Sequence, residues 1–244
     1  MFDARKLLDQ FLAGQMQGSG ASLRQKGEGA LKMARNNPWK TGALLSVLLG
    51  SKTGRSVATG ALKAGGLALI AGLGYSAYRN YKSGKAPEDI PALPELPAVP
   101  DSSPFSPAVA LGNDFALTLV KAMIAAAKAD GHIDDEERVR ILEKIHAVDL
   151  GDEAEAFLAE ELANPTNMDA LVAAARSEEQ KVELYTASRL TIDPDTRAER
   201  GYLDLLAGRL GLPEDLLAHI EATVRQAKSS HLEQSPSSFA GNGS

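Results

Sequence analysis

The sequence predicts an all-α protein with an N-terminal membrane-anchoring helix, a Pro-rich linker and a C-terminal helical bundle. Three observations carry that prediction. Residues 57–78 (VATGALKAGGLALIAGLGYSAY) hold 22 residues with one charge, Lys63. From 108 to 228 apolar residues return every three to four positions, separated by Gly and Pro stops. No alternating β-branched run occurs anywhere in the chain.

The elements follow in order. Residues 1–16 place Phe2, Leu7, Leu8, Phe11 and Leu12 on roughly one face of a short amphipathic helix. With the Gly-, Ser- and Lys-rich residues up to 40 they form a basic N-terminal segment. Residues 41–85 form a Gly/Ala-rich, membrane-associated region. Its first apolar stretch, 41–50, is too short to span, whereas 57–78 would reach about 33 Å as a helix, enough for a hydrocarbon core of about 30 Å. Gly60, Ala64, Ala68, Gly72 and Ser76 recur every fourth residue and make one small-residue ridge, the surface through which a homo-oligomer would pack. Between them, residues 51–56 (SKTGRS) lack the second glycine of a phosphate loop, so nucleotide binding is not expected there.

Residues 86–107 contain seven prolines and read as a semi-rigid linker. Residues 108–228 then predict helices at 115–129, 134–148, 152–162, 168–175, 178–190, 194–210 and a last one after Pro213. Val139, Leu142, Ile145 and Val148 would form the inward stripe of the second. Tyr202, Leu205, Leu206 and Leu210 would do so in the sixth, and Leu216, Leu217, Ile220 and Val224 in the last. The tail 229–244 is polar and expected to be disordered.

Charge divides the chain. Residues 1–86 carry 13 Lys+Arg and three acids, a net of +10, whereas 87–244 carry 13 bases and 29 acids, a net of −16. The basic half suits anionic lipid. The acidic half excludes a nucleic-acid footprint and suits a cation or a basic protein partner. With no cysteine, disulfides, thiolate zinc sites and a Cys nucleophile are excluded. No HExxH, Ser-His-Asp grouping or dinucleotide fingerprint is present, so no enzyme activity and no organic cofactor are expected. His132, His146, His219 and His231 are scattered.

Two acidic turns carry what chemistry is visible: KADGHIDDEE at 128–137 and LTIDPDT at 190–196. Aligning Ile133 with Ile192 also aligns Asp134 with Asp193 and Glu136 with Asp195, which suggests two related helix-turn-helix units. The first turn matches the second half of an EF-hand loop, with Asp130, Gly131, Ile133 and Glu137 at loop positions 5, 6, 8 and 12. Positions 1 and 3 fall on Ala126 and Lys128, which supply no oxygens. Helix capping explains the same residues: Asp134 as N-cap with Glu137 at N3, and Asp193 as N-cap with Pro194 at N1.

The two turns, with LTIDPDTRAERGYLDLLAGRLGLP, resemble the TerB-like, tellurite-resistance-associated helical domain. With the Gly/Ala-rich span and Pro-rich linker, the whole chain resembles the bacterial inner-membrane YebE family. The C-terminal likeness covers about half the chain. It implies an all-α domain in an envelope context and a divalent-cation site at Asp130, Asp134, Glu137, Asp193 and Asp195. It implies no reaction. The expected role is a membrane-anchored, non-enzymatic interaction or envelope stress-response protein. The alternative is a divalent-cation sensor. Arg79, Lys82 and Lys85 after the span outweigh Lys52 and Arg55 before it, which favours a cytoplasmic C-terminal domain.

Overall fold

A computed structural model of the chain describes residues 66–87, 98–106, 113–129 and 151–229, with positions 4, 7, 8, 131, 139, 141–143 and 146 besides. Among the described residues the fold is all-helical. Seven helices have settled bounds: α1 Gly66–Lys82, α2 Asn113–Ala127, α3 Asp152–Ala163, α4 Met168–Ala174, α5 Glu178–Thr191, α6 Arg197–Leu210 and α7 Glu214–Ser229.

The centre of the bundle is α5. It packs against α1, α2, α6 and α7, and residues 182–189 are buried without a break. An amphipathic helix buries one stripe; a run buried all round marks a helix enclosed by others. Its ends are set locally. Ser177 caps the start by accepting from the Gln180 N–H, and the chain turns extended at Ile192.

The described part of the segment expected to cross a bilayer is built into this bundle. The described part, α1, has 17 residues, of which 11 are buried. It runs antiparallel to α5: the Tyr78 hydroxyl donates to Glu178 Oε2 at 2.7 Å, and Gly74 faces Val182. It also runs antiparallel to α7, with Tyr81 against His219 at one end and Leu69 and Leu73 against Ala227 at the other. Leu67, Leu69, Ile70 and Leu73 are each 6% exposed or less, and burying each side chain contributes about 1.5–3 kcal/mol. Among the described residues no helix is long and apolar enough to cross a membrane. Gly60 and Ala64 of the expected ridge lie outside the described residues. Gly72 and Ser76 are buried within the chain, and Ala68 is half-buried.

The described part of the Pro-rich stretch also departs from expectation. Residues 98–106 are not a free spacer, because Phe105 is 2% exposed and Ser103 and Ser106 are buried. Phe105 lies edge-on to Tyr75 at 6.0 Å and against Tyr78 at 5.5 Å, so it closes the groove between α1 and α5. The backbone turns that aim it inward are held by Ser103 N–H to Pro100 O and Ser106 N–H to Ser103 O, both 2.8 Å.

Most C-terminal helices match their expected spans to within a residue or two, with three corrections. Val139 and Leu205, both expected to face inward, are each 52% exposed, while Ile141 and Leu203 are buried; Leu206 and Leu210 are buried and Tyr202 packs beside them, as expected for α6. Helix α6 begins at Arg197 rather than at Pro194. The last helix keeps its stripe: Leu216, Ile220 and Val224 are fully buried, with Leu217 packed beside them. Helix α6 ends at Gly211, whose φ of 67° is left-handed, its N–H turned back to the carbonyls of Ala207 and Gly208.

Gly74 is where the helices approach most tightly. A Cβ there would meet Val182 Cγ1 at 3.3 Å and Phe105 Cε1 at 3.4 Å. Gly74→Leu would overpack this contact and should lower stability by about 1–3 kcal/mol. Denaturant unfolding of the full chain checks this, with Gly208→Leu on open surface as the control.

Candidate functional site

The second acidic turn sits where the C-terminus of α5 meets α7. A helix C-terminus leaves carbonyls without partners and carries partial negative charge. Two cations meet it here. Lys228, from the last turn of α7, reaches the carbonyls of Ile192 (3.2 Å) and Arg189 (3.4 Å). Arg189, 5% exposed, folds back on its own helix and donates from Nη1 to Ile192 O at 2.8 Å.

Carboxylates complete the cluster. Asp193 Oδ1 accepts from Lys228 Nζ at 2.9 Å and from Arg189 Nη1 at 3.3 Å. Glu221 of α7 takes Arg189 Nε on one oxygen at 2.6 Å and the Tyr185 hydroxyl on the other at 3.0 Å. Burial works against the charged form of Asp193, but Lys228 and Arg189 outweigh it and hold the carboxyl below its usual range. Lys228 is the more covered partner, its side chain 16% exposed against 57% for Asp193, and burial pushes its amine down despite the pairing. Burial, reinforced by Glu221, pushes the Tyr185 phenol up.

This geometry decides the role of Asp193. It is not the N-cap of α6. That place belongs to Thr196, which accepts the Glu199 N–H at 3.1 Å while Glu199 accepts the Thr196 N–H at 2.9 Å, a reciprocal capping box. Asp193 is the counter-ion of buried Arg189 and half-buried Lys228, and a divalent ion at the same carboxylate would face their like charge. Asp195 is exposed, and its backbone is held by the Arg200 guanidinium, which donates to Asp195 O at 2.8 Å and Pro194 O at 2.9 Å. Asp130, Asp134 and Glu137 lie outside the described residues. Among the described residues no three His, Cys, Asp or Glu side chains gather as a metal site.

The approach to the first acidic turn repeats one device. Lys128 follows α2 and donates to the carbonyls of Glu161 (3.0 Å) and Asn164 at the C-terminus of α3. Burial lowers its amine, with Glu161 acting the other way. Ala126, the other residue at a loop position that lacks oxygens, is buried in α2. A lysine beside each acidic turn thus neutralises a helix C-terminus. Next to Lys128 a cleft of about 420 Å³ opens between α2, α3 and α4, with Thr118, Lys121, Glu161 and Asn167 on its walls. Lys121 crosses it to Glu161 at 2.5 Å.

His219 is 4% exposed and ties α7 to the chain leaving α1, its Nε2 at 2.8 Å from Lys85 O and its Nδ1 at 2.6 Å from Asp215 O. No local pattern marks the pairings of Arg189, Glu221 and Lys228, and Lys128 stood out only as a loop position without oxygens. Their partners lie 32–36 positions away, beyond any local pattern. The Thr196–Glu199 capping box was visible as T-x-x-E and outranks Asp193–Pro194.

Asp193→Asn tests the cluster. Its folded carboxyl ionises below 3.8, so its contribution is present above about pH 4 and is lost as pH falls through the folded value. More than half of the side chain meets solvent, which reduces the expected loss at pH 7 to about 1 kcal/mol. Thermal unfolding from pH 2 to 7 should show the variant and the wild type converging at the acid end.

Comparisons with known proteins place this arrangement. A family model described as "Protein of unknown function (DUF533)" matches residues 35–224. A protein of Yersinia enterocolitica, "Uncharacterized protein in ampR 5'region", is 33% identical over 112 residues, which cover 46% of this chain and 81% of that protein. No solved structure matches. The matched span takes in α1, the Phe105 segment, the bundle and most of α7, and so the chain belongs to the DUF533 family.

Proposed function

We propose that the chain is a membrane-associated, non-enzymatic interaction protein of the bacterial inner membrane, with an envelope stress-response role. In this reading it is a TerB-like, YebE-type protein. The observation that carries it is the division of charge about the bundle. Residues 1–65 hold ten Lys+Arg and three acids, a net of +7, whereas residues 87–244 have a net of −16. Because the described part of the apolar span is used by the bundle, membrane contact falls to the basic arm before it. Each Lys or Arg near an anionic surface contributes about 1 kcal/mol. The acidic bundle, repelled by that surface, stays in the cytoplasm and is free to dock a basic protein partner. Self-association through the small-residue ridge would require Gly72 and Ser76, buried within the chain, to be uncovered.

The divalent-cation reading depends on Asp130, Asp134 and Glu137 of the first turn, since Asp193 is engaged by Lys228 and Arg189. Calorimetry of the full chain with Ca²⁺, Mg²⁺ and Zn²⁺ tests it. Heat that disappears on Glu137→Gln would favour it.

Vesicle sedimentation tests the leading proposal. The full chain should partition onto vesicles containing anionic lipid and not onto neutral ones. Binding should fall about tenfold or more when salt is raised to about 0.5 M. Equal binding to both vesicle types, or none to either, would contradict it.

A further inference from the structure

Glu183 lies in the middle of α5 with 0% exposure, and neither carboxyl oxygen has a hydrogen-bond partner. A buried carboxylate needs a counter-ion or donors, and without them it is held neutral. The charge acting on it is Glu179, one turn earlier on the same helix, and it is repulsive. Among the described residues, the charged groups of the neighbouring helices are engaged elsewhere or face water. On α1, Arg79 lies over the Tyr75 ring and Lys82 over Tyr78 and Tyr81. On α2, Lys121 pairs with Glu161 and Asp114 is exposed. On α6, Glu199 is in its capping box, Arg200 holds the turn, Arg209 pairs with Asp169, and Arg197 and Asp204 are exposed. On α7, Glu221 and Lys228 hold Arg189 and Asp193.

We propose that Glu183 is a pH-sensitive lock on the packing of the helices that enclose α5. While the carboxyl is neutral, α5 stays enclosed. When it ionises, the charge has no partner among the described residues, and it reaches water only if the helices around α5 separate. Burial first, and Glu179 second, push the carboxyl up to about 8, so the device works on the alkaline side of neutrality. The sign follows from linkage. The folded state holds a proton that the unfolded chain gives up near 4.5. The contribution of Glu183 to stability is therefore complete below about pH 4.5 and is lost progressively until the folded carboxyl ionises near 8. Helix α1 is one of the helices packed on α5, and its apolar residues are covered while the bundle is closed. This inference goes beyond the proposed function and requires no membrane.

The test uses the absence of native cysteine. Ala77, 0% exposed on α1, becomes the one thiol as Ala77→Cys in the full chain, and its labelling rate is followed without lipid. The same pH series in a Glu183→Gln background corrects for thiol ionisation. Between pH 7 and 9 the wild-type background should gain about tenfold in labelling over the Gln background. Glu183→Met provides a second neutral background should Gln fail to fold, with the same gain expected. Parallel profiles in the wild-type and neutral backgrounds would overturn the proposal. Because the assay contains no lipid, its failure leaves the vesicle result untouched, and the reverse also holds.

Discussion

The bundle depends on the enclosure of α5. Four helices lean on it, and α1 closes one side only because Gly74 lets its backbone sit against Val182. Phe105 seals the groove from outside, with Tyr75 and Tyr78 around it. Remove this contact, and a run of buried side chains from Val182 to Arg189 would lose one wall. The small residues of α1 thus serve close packing, the same physical use they have in lipid, but the partner helices belong to the same chain.

Enclosing α5 also encloses polar groups, and the fold treats them in two ways. At the C-terminal end Arg189 and Lys228 meet Asp193, Glu221 and the helix carbonyls, so that charge and hydrogen bonds are satisfied together. In the middle Glu183 is left alone. A buried ion network is costly to break because each loss strands a partner. A solitary buried carboxyl is costly to ionise. The first favours one fixed register between α5 and α7, and the second makes the surrounding packing conditional.

How much of this was legible follows from the range of each interaction. The C-terminal helices were readable because local signals set them: Gly and Pro stops, Ser177 before Glu178, and the 3.6-residue return of Leu216, Ile220 and Val224. The environment of α1 was not. A helix buried in protein and one buried in lipid share the same apolar composition, and only the partner helices, a hundred residues or more away, distinguish them. Phe105 was hidden by the prolines around it. The candidate site was readable as two acidic turns, but not the pairing of Asp193 with a lysine 35 positions on. Nothing in EEQKVELY marks Glu183 as buried, since it continues a run of acids at helical spacing.

The account stands on α1 being a core element of the bundle. Native-state hydrogen exchange on the full chain measures this most directly. If α1 is part of the core, amides from Ile70 to Ala77 exchange only through the same global opening as those from Val182 to Ala187, with equal free energies and equal denaturant dependence. Exchange of α1 at a far lower free energy, while α5 keeps its protection, would contradict the account.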